Sequence, residues 1–260
     1  MSAKRALMVL ALACSGLASV QSTSAQATAA QARVVYDSRI PTPEPRITES
    51  ERGRVRFLAG LAMQAGLWDT GDFRPSESCS GEDFQINGVA PGSFTAQGTQ
   101  QTAYLYMYCY YRPGWSQGLV IVQGNEVVAH YVFTGLAHTM YALKDINRNG
   151  FTELVLEGGF TGQGYTEGYL EIAELRPQRR FLGRLNYEFN PPYKSNCGTL
   201  EKPLAWTSRI IRVTPGQAPQ FTQQVIQGKC GDERTATFTG AIQPLTLKPL
   251  PTGWTPAPTR

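Results

Sequence analysis

Between residues 103 and 243 the pattern is one of alternation and short apolar runs, and Gly, Asn and Pro separate them. A period of two puts alternate side chains on opposite faces of an extended chain, so the pattern predicts strands. The runs lie at 104–111, 118–122, 127–133, 139–145, 152–157, 168–175, 181–188, 206–213, 221–227 and 235–243. They follow one another with no helical period between them, which predicts an antiparallel meander. Such a meander forms its core as a sandwich or as a partial, propeller-like sheet. Gln123-Gly124-Asn125 reads as a tight hairpin turn between two of the runs.

One stretch has a different period. Val55, Leu58, Ala59, Ala62 and Met63 recur at helical spacing behind Thr48-Glu49-Ser50-Glu51, a capping box, and Gly66 stops the run. The expected fold class is therefore mostly β, with one N-terminal amphipathic helix packed on the sheet.

Both ends depart from these patterns. Lys4 and Arg5 precede an apolar run at 6–13, and small residues continue to Ser24-Ala25-Gln26-Ala27, the layout of a secretory signal peptide over 1–25. The apolar run is too short to span a bilayer. Cys14 follows Ala-Leu-Ala, but the leucine stands one step from its place in a lipobox, which disfavours lipoprotein anchoring. Residues 26–47, rich in Ala, Gln, Thr and Pro, read as a disordered linker, and 247–260 as a Pro-rich tail. Between them, 48–246 is long enough for a single β-rich domain with its own core. An exported protein is expected, placed in the periplasm, the cell envelope or outside the cell.

Export changes how charge and cysteine are read. Loss of Lys4 and Arg5 with the signal takes the net charge from +4 to +2, and no basic cluster stands out. Nucleic acid is excluded as a partner on that ground, and no transmembrane segment is expected. Cys79, Cys109, Cys197 and Cys230 remain, an even number in an oxidising compartment, with no C-x-x-C pair among them. Two disulfides are expected, and sequence order makes Cys79 with Cys109 and Cys197 with Cys230 the simplest pairing.

The strongest chemical signal is Asp145-Ile146-Asn147-Arg148-Asn149-Gly150-Phe151-Thr152-Glu153-Leu154, where oxygen-bearing side chains alternate around a glycine. Hard cations such as Ca²⁺ take this kind of ligand set. Leu156 stands where an EF-hand needs its bidentate glutamate, and strand-like flanks replace the two helices, so the EF-hand reading fails. The segment resembles instead the calcium-binding β-hairpin loop of FG-GAP and VCBS repeats, with the pattern D-x-[DN]-x-[DN]-G-x-x-D-L. The resemblance spans 138–175 in a single copy, whereas a propeller needs several. It implies a structural Ca²⁺ held by Asp145, Asn147, Asn149, the carbonyl of Phe151, and Glu153 in place of the usual aspartate. Two carboxylates would place its affinity at the weak end for such modules.

Other features point less sharply. Tyr104, Tyr106, Tyr108 and Tyr110 share one face of a strand by alternation, as cross-strand packing or as a ligand platform. Residues 157–168 carry five glycines without a P-loop lysine, and read as a flexible connection whose Phe160, Tyr165 and Glu167 could edge a binding surface. No catalytic motif is present, and His130 and His138 are the only histidines. The expectation is an exported binding or envelope-associated structural protein, with a protein or glycan as partner. The alternative is a secreted hydrolase of cell-wall or polysaccharide material, using two of Glu153, Glu157, Glu167 and Glu171.

Overall fold

The computed structural model describes residues 32–64, 84–111, 114–135, 137–175, 180–185, 192–232 and 236–247. Strand β1 (Arg33–Tyr36) precedes the helix α1 (Glu49–Gln64). Four strands then make one sheet, in the order β2 (Gln85–Gly92), β3 (Gln101–Tyr111), β4 (Gly114–Gln123) and β5 (Glu126–Gly135). A larger sheet begins with β6 (Ala137–Leu143), β7 (Glu153–Gly162), β8 (Tyr165–Glu174) and β9 (Arg180–Leu185). It continues through β10 (Tyr193–Ser195), β11 (Ala205–Thr214), β12 (Gln220–Lys229), β13 (Thr237–Phe238) and β14 (Gln243–Leu245). Every pairing among the described residues is antiparallel, and the two sheets stack as a sandwich, so the expected fold class holds in its sandwich form.

Alternation along the strands decides which side chains meet. Leu105, Leu119, Ile121 and Tyr131 of the small sheet pack against Met140, Leu154 and Leu156 of the large one, with Phe94 closing one end. Each such side chain removed from water contributes roughly 1.5–3 kcal/mol. Gly88 stands where the sheets approach most closely, since a Cβ there would lie 2.6 Å from the Met140 Cβ and 2.9 Å from its backbone nitrogen. Nearby, buried Gln117 brackets the Ala137 peptide, donating from Nε2 to its carbonyl at 2.6 Å and accepting from its N–H at 3.0 Å. A buried amide satisfied at both ends fixes the sheets in one register.

The outer faces are covered differently. Helix α1 lies on the small sheet, where Val55 and Ala59 pack with Phe84, Tyr104, Tyr106 and Val120. Its start is the predicted capping box, Glu51 Oε2 accepting from the Thr48 N–H at 2.8 Å and Thr48 Oγ1 from the Glu51 N–H at 3.2 Å. On the far face of the large sheet, Val35 and Tyr36 join Val155, Leu170, Ile172, Ile211 and Val213.

Four differences from the sequence reading have local causes. Residues 33–36 lie in the span read as linker, yet they pair with β11 and bury Val35 and Tyr36. Strand β2 was not among the predicted runs because Gly88 fills one of its buried positions and Pro91 lies near its end. β10 has three residues, too short for any period to show. The run 157–168, expected as a flexible connection, is instead the end of β7, a two-residue turn and the start of β8. Gln163 and Gly164 take φ of 52° and 85°, the paired positive values that suit a tight hairpin.

Candidate functional site

The loop between β6 and β7 closes a hairpin, as its sequence implies, and the small Asx side chains hold it. Asp145 Oδ1 accepts from the Asn149 N–H at 2.8 Å, and its Oδ2 from the Gly150 N–H at 3.1 Å. Asn149 Oδ1 accepts from the Phe151 N–H at 2.9 Å. Asp145, Arg148 and Gly150 have φ of 38°, 57° and 82°, so the backbone turns through the left-handed region three times. Two other parts of the fold clamp it: Gln97 donates to the Asn149 carbonyl, and the Gly216 N–H to the Ile146 carbonyl at 2.9 Å.

Beneath this turn lies a buried acidic layer. Glu153 and Glu174 are directly opposed across β7 and β8, and both are fully buried. Glu153 Oε2 accepts from the Ile146 N–H at 3.0 Å. Glu174 Oε2 accepts from the Asn147 side-chain amide at 2.8 Å and from that of Asn149. The Glu153 carboxyl is pushed up to about 7, first by burial, with the Glu174 and Asp145 carboxylates adding repulsion. Two buried oxygens, Asn147 Oδ1 and Glu153 Oε1, have no hydrogen-bond partner. Orphaned oxygens beside opposed acids are what a hard cation would satisfy. Of the five ligands expected, Asn147 and Glu153 thus present an unused oxygen, whereas Asn149 turns its amide to Glu174. Among the described residues no group of three His, Cys, Asp or Glu side chains meets metal-holding geometry, and the oxygen set here is partly amide.

Glu174 escaped the sequence reading, although a signal for it existed. Pairing Gly162 with Tyr165 carries down the hairpin, residue for residue, to Glu153 opposite Glu174. Recognising the turn at 163–164 would have exposed the second acid.

A second site lies further along β7. A cavity of about 910 Å³ opens between the segment that follows β1 and the β6, β7 and β8 strands, with Tyr193 of β10 and Trp206 of β11 at its side. Phe160 is 59% exposed, Tyr141 and Tyr193 are half-buried, and Tyr36 and Trp206 lie deeper. Tyr193 and Trp206 stack with centroids 6.3 Å apart. The polar ends of three of these rings are engaged within the protein: Tyr141 donates to the Val35 carbonyl at 2.8 Å, Trp206 to the Lys229 carbonyl at 3.1 Å, and Tyr36 bonds to Ser208. What the rings offer the cavity is apolar surface.

Glu157 also lines this cavity, and burial pushes its carboxyl from 4.5 to about 7. No hydrogen bond or ion pair to it is found among the described residues. Its charged neighbours are already matched, Asp37 by Arg39 at 2.7 Å and Glu167 by Lys194 at 3.1 Å. No lysine or arginine is among the described residues that line the cavity. Perturbed carboxyls in concave, aromatic-lined sites mark functional surfaces more often than chance.

The remaining predicted residues fall elsewhere. Tyr104 and Tyr106 are buried beneath α1, with half-buried Tyr108 against the same cluster, so the row serves core packing and presents no platform. The side chain of Tyr110 lies outside the described residues. Tyr106 instead meets His130 at 2.7 Å, and burial holds that imidazole down at about 4. Tyr165 stands apart from the cavity with its hydroxyl bonded to Glu201. Glu171 shares a sheet face with Leu156, towards the sandwich core. Cys197 and Cys230 form a disulfide, closing a separation of 33 residues. Cys109 is buried and disulfide-bonded, while Cys79 lies outside the described residues.

Fold and sites together define a disulfide-bonded antiparallel β-sandwich, with an Asx-rich hairpin at one end of β7 and an aromatic cavity at the other. Compared with known families, curated proteins and solved structures, the chain finds no match. No described helix is long and apolar enough to cross a membrane.

Proposed function

We propose that the protein is an exported binding module of the cell envelope or its surroundings, with a structural Ca²⁺ in the hairpin between β6 and β7. The observation that carries the metal is the pair of buried, unpartnered oxygens, Asn147 Oδ1 and Glu153 Oε1, in a loop of calcium-binding pattern. Glu174, opposed to Glu153, adds a second buried carboxylate that a divalent ion would neutralise. The disulfide between Cys197 and Cys230 supports export, since such bonds persist in oxidising compartments.

The test is thermal unfolding of the mature protein in EGTA, in 5 mM CaCl₂ and in 5 mM MgCl₂. With a dissociation constant of roughly 10⁻⁴ M, 5 mM Ca²⁺ would stabilise by about 2 kcal/mol. Glu153→Gln is expected to remove most of that gain. Identical transitions in EGTA and in Ca²⁺ would overturn the metal reading.

A hydrolase reading draws support from one observation, the Glu157 carboxyl near 7 in an open cavity, which suits a general acid. Its expected partner is badly placed. Glu157 pairs with Leu170 and Phe160 with Glu167, so the regular register directs Glu157 and Glu167 to opposite faces of the hairpin. Turnover of a glycan panel that is lost in both Glu157→Gln and Glu167→Gln would favour the hydrolase.

A further inference from the structure

The cavity along β7 has a chemistry that narrows its ligand. Its rings contribute mainly apolar surface, since the hydroxyls of Tyr36 and Tyr141 and the indole nitrogen of Trp206 are bonded within the protein. Among the described residues Asp37 after β1, Glu157 on β7 and Glu167 on β8 line it, with His138 on β6 as the one basic side chain. Asp37 and Glu167 are matched by Arg39 and Lys194, and His138 lies 3.0 Å from the Gly159 carbonyl. Of these acids only Glu157 lacks a hydrogen-bond or ion-pair partner among the described residues, and Tyr36 and Tyr141 feel its charge. Aromatic faces attract cations through their quadrupole, and a partly desolvated carboxylate gains most from a cation that brings apolar substituents with it.

We propose that the cavity bounded by Tyr36, Tyr141, Tyr193 and Trp206 binds an organic cation, a primary or substituted amine with an apolar body, whose ammonium pairs with Glu157. This rests on the binding half of the reading above and is independent of calcium. A single unpaired acid, with no lysine or arginine among the described lining residues, selects cations, and the rings select those that carry hydrocarbon over simple metal ions. Volume is ample for an aromatic or branched amine.

The experiment is isothermal titration of the mature protein with 2-phenylethylamine, with its uncharged counterpart 2-phenylethanol, and with a chitotetraose control. The amine is expected to bind at least tenfold more tightly than the alcohol, and Glu157→Gln to weaken the amine at least tenfold while leaving the alcohol unchanged. A readout that needs no variant is proton release. At pH 7 the Glu157 carboxyl is about half protonated, so a bound ammonium would expel about half a proton, seen as a buffer-dependent heat. Equal binding of amine and alcohol, amine binding indifferent to Glu157→Gln, or absence of proton release would overturn the proposal. Binding of chitotetraose without the amine would overturn it too while sparing the binding function, and silence from all three ligands would count against both.

Discussion

Glu157→Gln should make this protein more stable, and by an amount that depends on pH. The substitution keeps the shape of the side chain and removes only its ability to ionise. In the folded protein burial pushes this carboxyl from 4.5 to about 7. Below pH 4.5 both folded and unfolded chains hold the proton, and the residue makes no electrostatic difference. Between 4.5 and 7 the unfolded state ionises while the folded state does not, so the folded state binds more protons and stability falls as pH rises. Above 7 the loss is complete, and the gap corresponds to about 3 kcal/mol. The variant escapes that loss, so its advantage should grow from near zero at pH 4 to about 3 kcal/mol at pH 8.

Urea unfolding of both proteins at pH 4, 6 and 8, with EGTA present and the disulfides intact, measures that advantage directly. Taking the difference between the proteins matters because other groups titrate in the same range. Glu153, also pushed up to about 7, contributes a slope of the same sign. His130, held at about 4, contributes stability that is present above its ordinary value and lost as pH falls. Both are common to the two proteins, and Glu153 is four residues away along a strand, about 13 Å, so they cancel to a few tenths of a kcal/mol. A difference that stays constant from pH 4 to 8, or a wild type that is the more stable at pH 8, would refute the desolvation argument for Glu157.

Three further outcomes test the scaffold. Gly88→Ala is expected to destabilise by about 1–3 kcal/mol, because its Cβ would lie 2.9 Å from the backbone nitrogen of Met140 and the sheets would have to part, which chemical denaturation would detect. Leu154→Ala, fully buried between the sheets, should cost about 2–5 kcal/mol in the same assay, and a loss under 1 kcal/mol would mean that this layer is not the core. Replacing Cys197 and Cys230 together by Ala opens a loop of 33 residues' separation and should lower stability by about 3 kcal/mol, read as a lower midpoint against wild type under oxidising conditions.

How much was legible in the sequence follows from the range over which each signal acts. Alternation and short apolar runs mark β3, β4, β7, β8, β11 and β12, and the capping box marks α1 through contacts three residues apart. The turn at Asp145–Glu153 was equally legible, since its Asx and glycine residues act on their own backbone. The cavity was not. Tyr36, Tyr141, Tyr193 and Trp206 come from four strands, brought together by the pairing of β1 and β10 with β11 and of β10 with β8, and no local pattern reports that. β1 itself was hidden in a Pro-rich surrounding that resembles a linker. The tyrosine row misled for the opposite reason: alternation placed the rings on one face correctly, but only the docking of α1 decides that this face is core.

The loop and the cavity are coupled by a single strand. Side chains on β7 alternate strictly, so a slip of one residue against β8 would carry Glu157 from the cavity to the sandwich core and Leu156 the other way. Burial of Leu154 and Leu156 on one face and Val155 on the other opposes such a slip, and so does the end of the strand where Glu153 is fixed, its carboxyl accepting from the Ile146 N–H at 3.0 Å and opposed to Glu174. The glycines at 158, 159 and 162 cannot supply that constraint, because they carry no side chain to choose a face. An acid buried at the start of β7 is therefore more than a ligand candidate for a cation. It helps hold the register that puts Glu157, four residues on, at the aromatic cavity.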